Sequence, residues 1–301
     1  YGSHAKKRIL PALLECKDVN EIDVVLRNKA GGKDKNVAFK DFSLAENKKR
    51  KYDYIIISSP PYAHKENLTS LKDNSDNFII EKPIFDTLGD FKDKNLLAMF
   101  KNKNIAEGLM YLYHPMWDIV KDIFHTEKVI EFSSSFTIPH IEKTNYRYIK
   151  NKGGGFTLDL GVYPISLFFN LVNEDFEKVK SQINYKKGYE VDLTGELEII
   201  YGNDVLYKAK WGAGLEYSNI LKIKTNKTSY TFPFIFTKSD GYESYYIEKF
   251  ESKEKTFQIG NHDQFKLMYE NFFSNKLNHI GLNNELLKTY NFLFEIMNTK
   301  S

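Results

Sequence analysis

Short apolar runs alternate with helix-length polar segments in the first third of the chain, and this alternation limits the possible folds more than any other feature. Tyr54–Ser58 is apolar enough to be a strand buried on both faces, and it is followed by Pro60-Pro61, where strand pairing stops. Phe78–Glu81 is a second short apolar run, and Asp90–Asn102 has the spacing of an amphipathic helix. Strands that alternate with helices predict a parallel sheet with helices on both faces.

The pattern changes after about residue 110. Longer segments of alternating polar and apolar residues follow one another, and turn-forming residues such as Gly202-Asn203-Asp204 separate several of them. This pattern predicts an antiparallel meander with strands at 179–185, 191–201, 205–211, 219–224, 229–236 and 245–250, closed by helices at about 262–274 and 284–299. We therefore expect a doubly wound α/β domain over residues 1–110. An α+β domain with a large, mostly antiparallel, open-faced sheet is expected over residues 111–301.

Composition excludes several classes of protein. The 43 Lys and Arg residues nearly balance the 40 Asp and Glu residues, and the resulting charge of +3 argues against a nucleic-acid-binding protein. No apolar run approaches the roughly 20 residues of a membrane span, so no membrane partner is expected. The single cysteine, Cys16, excludes an internal disulfide framework and a zinc ribbon, and it fits a reducing, cytoplasmic location. No metal site is predicted.

The first residues, Tyr1-Gly2-Ser3-His4-Ala5, lead into a helical pattern that ends near Cys16. Glycine at the start of a helix, with alanine three residues later, resembles the end of a G-x-G-x-x-A phosphate turn. In such a turn, glycine lets backbone N–H groups approach a pyrophosphate. Gly2-Ser3-His4 could instead be left over from an affinity tag. On the first interpretation, we expect the first strand and the first glycine of the turn to precede Tyr1.

Two candidate site segments follow the two buried strands. Ser58–His64 lies at the carboxyl end of the first, where open α/β sheets bind ligands and where small residues leave room for a cofactor ring. A plain proline stop is the alternative. Lys82, in Glu81-Lys82-Pro83, follows the second strand, so a position beside a cleft would make it a usable proton or hydrogen-bond donor. A surface lysine at the strand exit is the alternative.

A third segment combines glycines with an acid and a phenol. Gly153-Gly154-Gly155 opens a helix and permits a close approach of its backbone to a bulky neighbour. Asp159 and Tyr163 are four residues apart, so a helix would place them on one face, where they could hold and relay a proton. A hydrogen bond between them that only fixes the helix explains the spacing equally well.

In this order and spacing, the segments resemble the glucose–fructose oxidoreductase, inositol dehydrogenase and rhizopine catabolism family, abbreviated Gfo/Idh/MocA. The resemblance covers nearly the whole chain. Its motifs are Gly2-x-x-Ala5, Asp53–Ile57 leading into Pro60-Pro61-x-x-His64, Glu81-Lys82-Pro83, Met110–Pro115, Asn145-Tyr146-Arg147, Gly-Gly-Gly-x-x-x-Asp159-x-Gly-x-Tyr163 and the stretch from Asp263-Gln264-Phe265.

The resemblance implies an N-terminal Rossmann domain that binds NAD or NADP, and hydride transfer to or from a carbon of a sugar, nucleotide sugar or cyclitol. Lys82 would hydrogen-bond the reacting oxygen, and Tyr163 would donate the proton in the reducing direction. Tyr163 stands where many members have histidine, which resembles the branch with certain nucleotide-sugar ketoreductases. Asp159 would orient the substrate hydroxyl or Lys82. Cofactor contacts are expected from Gly2, Ser3, His4, Ala5, Arg27, Ser58, Pro60, His64 and Glu81, and substrate contacts from Tyr113 and Arg147.

The residues after the strand at 21–26 predict which cofactor binds. NAD enzymes place a carboxylate there for the ribose hydroxyls, whereas this chain has Leu26-Arg27-Asn28. Because Arg27 could pair with a 2′-phosphate, we expect NADP in preference to NAD. Stacking of Arg27 on the adenine is the alternative.

Two other functions are compatible with the sequence. One is a non-catalytic NAD(P)-binding regulatory protein of the same fold, against which the retention of both Lys82 and Tyr163 argues. The other is a redox-neutral, NAD-dependent glycosidase that works through a transient ketone. No motif identifies the sugar. The resemblance further implies a homodimer or homotetramer formed through the open face of the C-terminal sheet.

Overall fold

The computed structural model describes residues 2–26, 33–34, 37–41, 50–274 and 280–298. The chain forms two compact units. Unit 1 comprises Tyr1–Gly108 and Phe265–Asn283, and unit 2 comprises Leu109–Gln264 and Asn284–Ser301. The predicted boundary near residue 110 assigns everything after it to the second domain, whereas residues 265–283 pack with unit 1.

The described strands, in chain order, are β1 (Ile22–Leu26), β2 (Lys33–Asp34), β3 (Val37–Asp41), β4 (Ile55–Ile57), β5 (Asn77–Ile80), β6 (Asn104–Glu107), β7 (Val129–Ile138), β8 (Phe176–Tyr185), β9 (Asp192–Tyr201), β10 (Val205–Ala213), β11 (Ser218–Thr225), β12 (Thr228–Pro233), β13 (Glu243–Phe250) and β14 (Lys253–Asn261). The described α-helices are α1 (Leu10–Glu15), α2 (His64–Leu71), α3 (Leu88–Phe91), α4 (Lys94–Asn102), α5 (Pro115–Thr126), α6 (Val162–Leu171), α7 (Gln264–Ser274) and α8 (Ile280–Asn298). Two π-helical turns, Ala5–Ile9 and Thr157–Gly161, lead directly into α1 and α6.

The described strands of unit 1 form two three-stranded sheets, in the orders β1-β3-β2 and β4-β5-β6. The second sheet is parallel throughout, and its central strand β5 is the most deeply buried because Phe78, Ile79 and Ile80 are at most 2% exposed. Phe85 stacks on Phe100 of α4 at 5.3 Å between ring centroids and extends this core. Parallel strands that alternate with helices confirm the predicted α/β class.

Unit 2 is built on an eight-stranded sheet in the order β14-β13-β12-β11-β7-β10-β9-β8. One face packs under α5 and α6, and all residues of α6 from 162 to 169 are buried. The opposite face is exposed and polar, with Lys210 paired to Glu196 at 2.7 Å and Lys208 to Glu131 at 3.8 Å. The predicted large, mostly antiparallel, open-faced sheet is therefore confirmed.

The sheet of unit 2 differs from a simple meander in two respects. β7 lies between β10 and β11 and pairs with β10 in parallel, which separates strands that are neighbours in sequence. β14 was not predicted because its sequence begins with the charged run Lys253-Glu254-Lys255, which is typical of an exposed edge rather than of a buried strand. Among the described residues, no helix has the length and apolar character needed to span a membrane.

Candidate active site

The carboxyl ends of β4 and β5 lie side by side in unit 1. Ile57 pairs with Ile80, and the backbone N–H of Glu81 donates to the Ile57 carbonyl at 2.9 Å. The residues that follow each strand, Ser58 and Lys82, therefore lie at one edge of the parallel sheet, the edge at which such sheets bind ligands. Lys82 is half-buried, and the peptide bond that joins it to Pro83 is cis.

His64 joins the two loops at this edge. Its ring is 1% exposed, with Nδ1 2.9 Å from the Pro83 carbonyl oxygen and Nε2 2.7 Å from the Ser59 carbonyl oxygen. Burial lowers the pKa of His64, while the two carbonyl oxygens favour the protonated ring. The imidazole therefore ties the Ser58–Pro60 turn to the segment that follows Lys82. Its predicted role as a direct cofactor contact stays a prediction.

Glu81 connects the end of β5 to the beginning of the first helix. Its Oε1 lies 3.5 Å from His4 Nε2, and His4 packs edge-on against Phe265 with 5.4 Å between ring centroids. A Cβ on Gly108 would lie only 3.1 Å from Glu81 Oε1, so glycine at 108 makes room for this carboxylate. The structure thus brings together two of the predicted cofactor residues, His4 and Glu81.

The beginning of the chain has the features of a phosphate-binding turn. Ala5 is buried, whereas Gly2, Ser3 and His4 are exposed, and no atom of the described residues lies within 4 Å of where a Cβ on Gly2 would be. The helical segment that follows carries Lys6, Lys7 and Arg8 and has no acidic residue in its first turn. An accessible backbone and positively charged side chains at the start of a helix are both suited to binding a pyrophosphate. Arg27, the predicted partner of a 2′-phosphate, lies outside the described residues.

Asp159 and Arg147 form an ion pair in unit 2. Arg147 Nε donates to Asp159 Oδ2 at 2.6 Å, and the side chains are 30% and 7% exposed, respectively. The negative charge of Asp159 raises the pKa of the Arg147 guanidinium. Arg147, a predicted substrate contact, and Asp159, a predicted orienting group, are thus in direct contact. The charge of each side chain compensates the charge of the other.

Tyr163 lies one helical turn after Asp159, inside an aromatic shell. It is 3% exposed, and its ring packs against Phe136 at 5.1 Å and Phe236 at 5.5 Å between centroids. Its hydroxyl donates a long hydrogen bond of 3.9 Å to Met110 Sδ. Tyr163 also contributes to the electrostatic environment of Arg147. Phenol, guanidinium and carboxylate therefore belong to one local arrangement.

The glycines before this helix leave space for other segments of the same chain. A Cβ on Gly154 would lie 2.7 Å from the carbonyl oxygens of Tyr146, Arg147 and Ile149, so glycine allows the segment with Arg147 to pack on the helix start. Gly155, at φ +128°, leaves space for the Asp192 carboxylate. The sequence predicts a close approach at these glycines, whereas no local motif marks Asp192.

A second buried polar cluster in unit 2 was also missed. His114 is 1% exposed, its Nδ1 accepts from the Met116 backbone N–H at 3.1 Å, and its Nε2 lies 3.3 Å from Ser244 Oγ. Burial lowers the pKa of His114 to about 3 and that of Lys238 to about 7. The neighbouring Tyr113, a predicted substrate contact, is half-buried, and burial raises the pKa of its phenol. Its role stays a prediction.

No group of three or more His, Cys, Asp or Glu side chains within the described part of the chain is arranged to hold a metal ion.

Residues 127–230 match the family model described as the GFO/IDH/MocA C-terminal domain. This range covers β7 to β11 and the first three residues of β12, and it includes Arg147, Asp159 and Tyr163.

Curated relatives match over part of their length. The chain is 28% identical over 170 residues to the dTDP-3,4-didehydro-2,6-dideoxy-alpha-D-glucose 3-reductase of Saccharopolyspora spinosa, which is 54% of this chain and 51% of that protein. It is 26% identical over 219 residues to the enzyme of the same name from Actinomadura kijaniata, which is 71% of this chain and 65% of that protein. The chain thus spans about half to two thirds of the length of these relatives.

Solved structures match over nearly the whole chain. A 3-ketoreductase from Actinomadura kijaniata, in complex with NADP and TDP-benzene, has a TM-score of 0.85 at 21% identity and covers 98% of this chain and 94% of its own. Variants of that reductase with one tyrosine replaced by phenylalanine, or one lysine by alanine, have also been solved. The aldose–aldose oxidoreductase of Caulobacter crescentus has a TM-score of 0.79 at 13% identity, with the same coverage of 98% and 94%. At these identities the likeness shows the fold.

Proposed function

We propose that the chain is a member of the Gfo/Idh/MocA family, whose C-terminal domain model matches residues 127–230, and that it is an NAD(P)-dependent oxidoreductase that transfers hydride between a nicotinamide and a carbonyl or hydroxyl carbon of a sugar. One observation carries this proposal from the chain's own residues. A single helical segment presents Tyr163 together with Asp159, whose carboxylate is fixed by Arg147 at 2.6 Å. A phenol next to a fixed acid–base pair is suited to proton transfer at an alcohol oxygen.

The substrate that we propose is a nucleotide-linked ketosugar, and the cofactor is NADPH. The curated relatives are named as reductases of a dTDP-linked ketosugar, and the matching 3-ketoreductase was solved with NADP and a TDP compound. Gly2, Ser3, His4, Ala5, Ser58, Pro60 and Glu81 would hold the dinucleotide. When bound, the dinucleotide supplies or accepts the hydride.

Two side chains would handle the substrate oxygen. Tyr163 would donate its hydroxyl proton to that oxygen as the carbonyl is reduced. The Lys82 ammonium would hydrogen-bond the same oxygen and stabilise the developing alkoxide. Asp159, held by Arg147, would accept a hydrogen bond from a neighbouring sugar hydroxyl and so orient the ring.

We place the reaction in a reducing compartment such as the cytoplasm, which the free thiol of Cys16 fits. We also propose that copies of the chain assemble as a homodimer or homotetramer through the exposed face of the eight-stranded sheet. The alternating charges of that face, such as Lys210 beside Glu196, would allow polar pairing between copies.

The decisive experiment follows NADPH oxidation at 340 nm with a panel of dTDP-linked and free ketosugars. Turnover on a dTDP-ketosugar is expected, and Tyr163→Phe should lower kcat by about 10²–10⁴-fold, the usual contribution of a general acid. Tyr185→Phe, at an exposed tyrosine of the same unit, is the matched control. NADPH binding without turnover on every sugar would indicate a regulatory protein instead, and full activity of Tyr163→Phe would remove the proposed proton donor.

A further inference from the structure

The carboxylate of Asp192 is buried against the start of the helical segment that carries Asp159 and Tyr163. Asp192 Oδ2 accepts two hydrogen bonds from Thr157, one from the backbone N–H and one from the hydroxyl, both at 2.6 Å. Asp192 is 2% exposed, and burial raises the pKa of its carboxyl group, so its oxygen is satisfied by donors at a helix start rather than by water.

This arrangement is an N-cap supplied from another element. A helix is usually capped by the Ser, Thr, Asp or Asn that directly precedes it, but here that position is Phe156, whose side chain cannot accept a hydrogen bond. The capping carboxylate comes instead from the first residue of β9, 35 positions after Thr157. The sheet thereby sets where the helix begins.

The residues around Thr157 leave the cap little freedom. Trp211 Nε1 donates to Thr157 Oγ1 at 3.0 Å, so the hydroxyl accepts from Trp211 and donates to Asp192. A Cβ on Gly155 would lie 2.7 Å from Asp192 Oδ1, and the Trp211 ring fills the space over Gly161. The directions of both hydrogen bonds are therefore fixed, because Trp211 donates to Thr157 and Thr157 donates to Asp192.

The first turn of this segment, Thr157–Gly161, is π-helical. A π-turn is less favourable than an α-turn and persists where tertiary contacts hold it. If the cap were lost, the turn could re-form as an α-helix, in which each residue is rotated by about 100° relative to the one before it. Such a change of register would turn Asp159 away from Arg147 and displace Tyr163.

We propose that Asp192 is a positioning residue for the proposed reaction, which fixes Asp159 and Tyr163 by capping the helical segment that carries them. This proposal rests on the proposed function for its catalytic consequence, but the capping itself is measurable without any substrate. Asp192 contacts neither Asp159 nor Tyr163 in this role and acts only through Thr157 and the backbone that follows.

The test compares Asp192→Ala, which removes the acceptor oxygens, with Asp175→Ala, at an exposed aspartate of the same unit. Hydrogen exchange of the amides of residues 156–159 is followed by mass spectrometry, and kcat is normalised to the concentration of NADPH-binding sites. Asp192→Ala should speed exchange of these amides by about tenfold, the usual effect of losing a cap, and should lower kcat while NADPH affinity is unchanged. Asp175→Ala should change neither quantity.

A second pair of variants covers the case in which Asp192→Ala does not fold. Thr157→Val removes the hydroxyl but keeps the backbone N–H, whereas Thr157→Ser keeps both donors. Thr157→Val should lower kcat and speed exchange, and Thr157→Ser should restore both values. Unchanged exchange in Asp192→Ala would overturn the cap, and faster exchange with unchanged kcat would overturn the positioning role. If the wild-type chain turned over no ketosugar, the proposed function would fail, and the exchange data would still decide whether Asp192 caps the helix.

Discussion

Arg147 donates from Nε to Asp159 Oδ2 at 2.6 Å, and the carboxylate that receives this bond is 7% exposed. Each side chain has a separate role in the proposed reaction, yet each is held in place by the other. A carboxylate this deeply buried is stable as an anion only when such a partner compensates its charge. The ion pair therefore contributes both to the proposed catalytic arrangement of unit 2 and to the stability of that unit.

The first prediction concerns this ion pair. Arg147→Met removes the positive charge that lies 2.6 Å from the buried Asp159 carboxylate, so we expect a loss of unfolding free energy on the order of 2 kcal/mol, reduced by the partial exposure of Arg147. Adding Asp159→Asn in the same chain should recover part of this loss. Urea denaturation of the two single variants and the double variant measures the coupling. Additive losses would show that the pair contributes no stability.

The second prediction concerns Lys82 and Tyr163. If both act on one substrate oxygen, Lys82→Met and Tyr163→Phe should each lower kcat/KM by at least about 10²-fold, and the double variant should lose much less than the product of the two. Lys208→Met, at an exposed lysine, provides the matched control. A fully multiplicative loss in the double variant would indicate that the two side chains act independently.

The third prediction concerns the cofactor. Arg27→Ala should weaken NADPH binding by about 10–100-fold and leave NADH binding unchanged, because a charge-assisted bond to the 2′-phosphate would be lost. Lys17→Ala, at an exposed lysine of unit 1, controls for general electrostatic attraction. Fluorescence titration with both nucleotides gives the two affinities. An unchanged ratio of NADPH to NADH affinity would remove Arg27 from the cofactor site.

Local patterns are sufficient to predict the fold class, and they also single out several candidate site residues whose roles stay predictions. The apolar runs at 54–58 and 78–81 contain most of β4 (Ile55–Ile57) and β5 (Asn77–Ile80), because a short continuous apolar run bounded by turn residues is typical of a strand in a parallel sheet. By contrast, the insertion of β7 between β10 and β11 depends on pairing between strands that are distant in sequence, which alternation of polar and apolar residues does not encode.

The same difference applies to the site. Short motifs predict Arg147, Asp159 and Tyr163 as site residues, but the contact between Arg147 and Asp159 depends on how Gly154 lets two segments approach. Asp192 and Trp211 reach Thr157 from 35 and 54 residues away, so no local spacing could have marked them. A buried polar residue is recognised by its partners, and those partners are known only once the chain is folded.

The fourth prediction concerns pH and His114. Burial, together with Lys238 and His262, lowers the pKa of His114 from 6.5 to about 3 in the folded chain. Between these two values the unfolded chain binds a proton that the folded chain does not, so stability decreases as the pH falls through this range. The loss between pH 6.5 and 5 should be about 1–2 kcal/mol.

His114→Asn tests this dependence and keeps a side chain that can cap α5. We expect the variant to lose less stability than the wild type between pH 6.5 and 5 in urea denaturation. Thr126→Ala, at the exposed last residue of α5, removes no titratable group and should follow the wild-type pH dependence. Parallel pH curves for His114→Asn and the wild type would contradict the assignment.

The fifth prediction concerns Gly195, which faces Trp211 within the sheet of unit 2. A Cβ at this position would lie 2.3 Å from the Trp211 ring, and Trp211 is fully buried and holds Thr157 through its Nε1. Because the ring has no space to move into, Gly195→Ala should destabilise the chain by about 1–3 kcal/mol, the usual cost of overpacking a core. Gly89→Ala, in α3, meets only Thr87 Oγ1 at 3.7 Å and should instead stabilise the chain slightly, since alanine favours helix. Thermal and urea denaturation of the two variants should therefore shift in opposite directions. A Gly195→Ala variant as stable as the wild type would show that Trp211 can move, and the Trp211–Thr157 bond could then not hold the helix start in place.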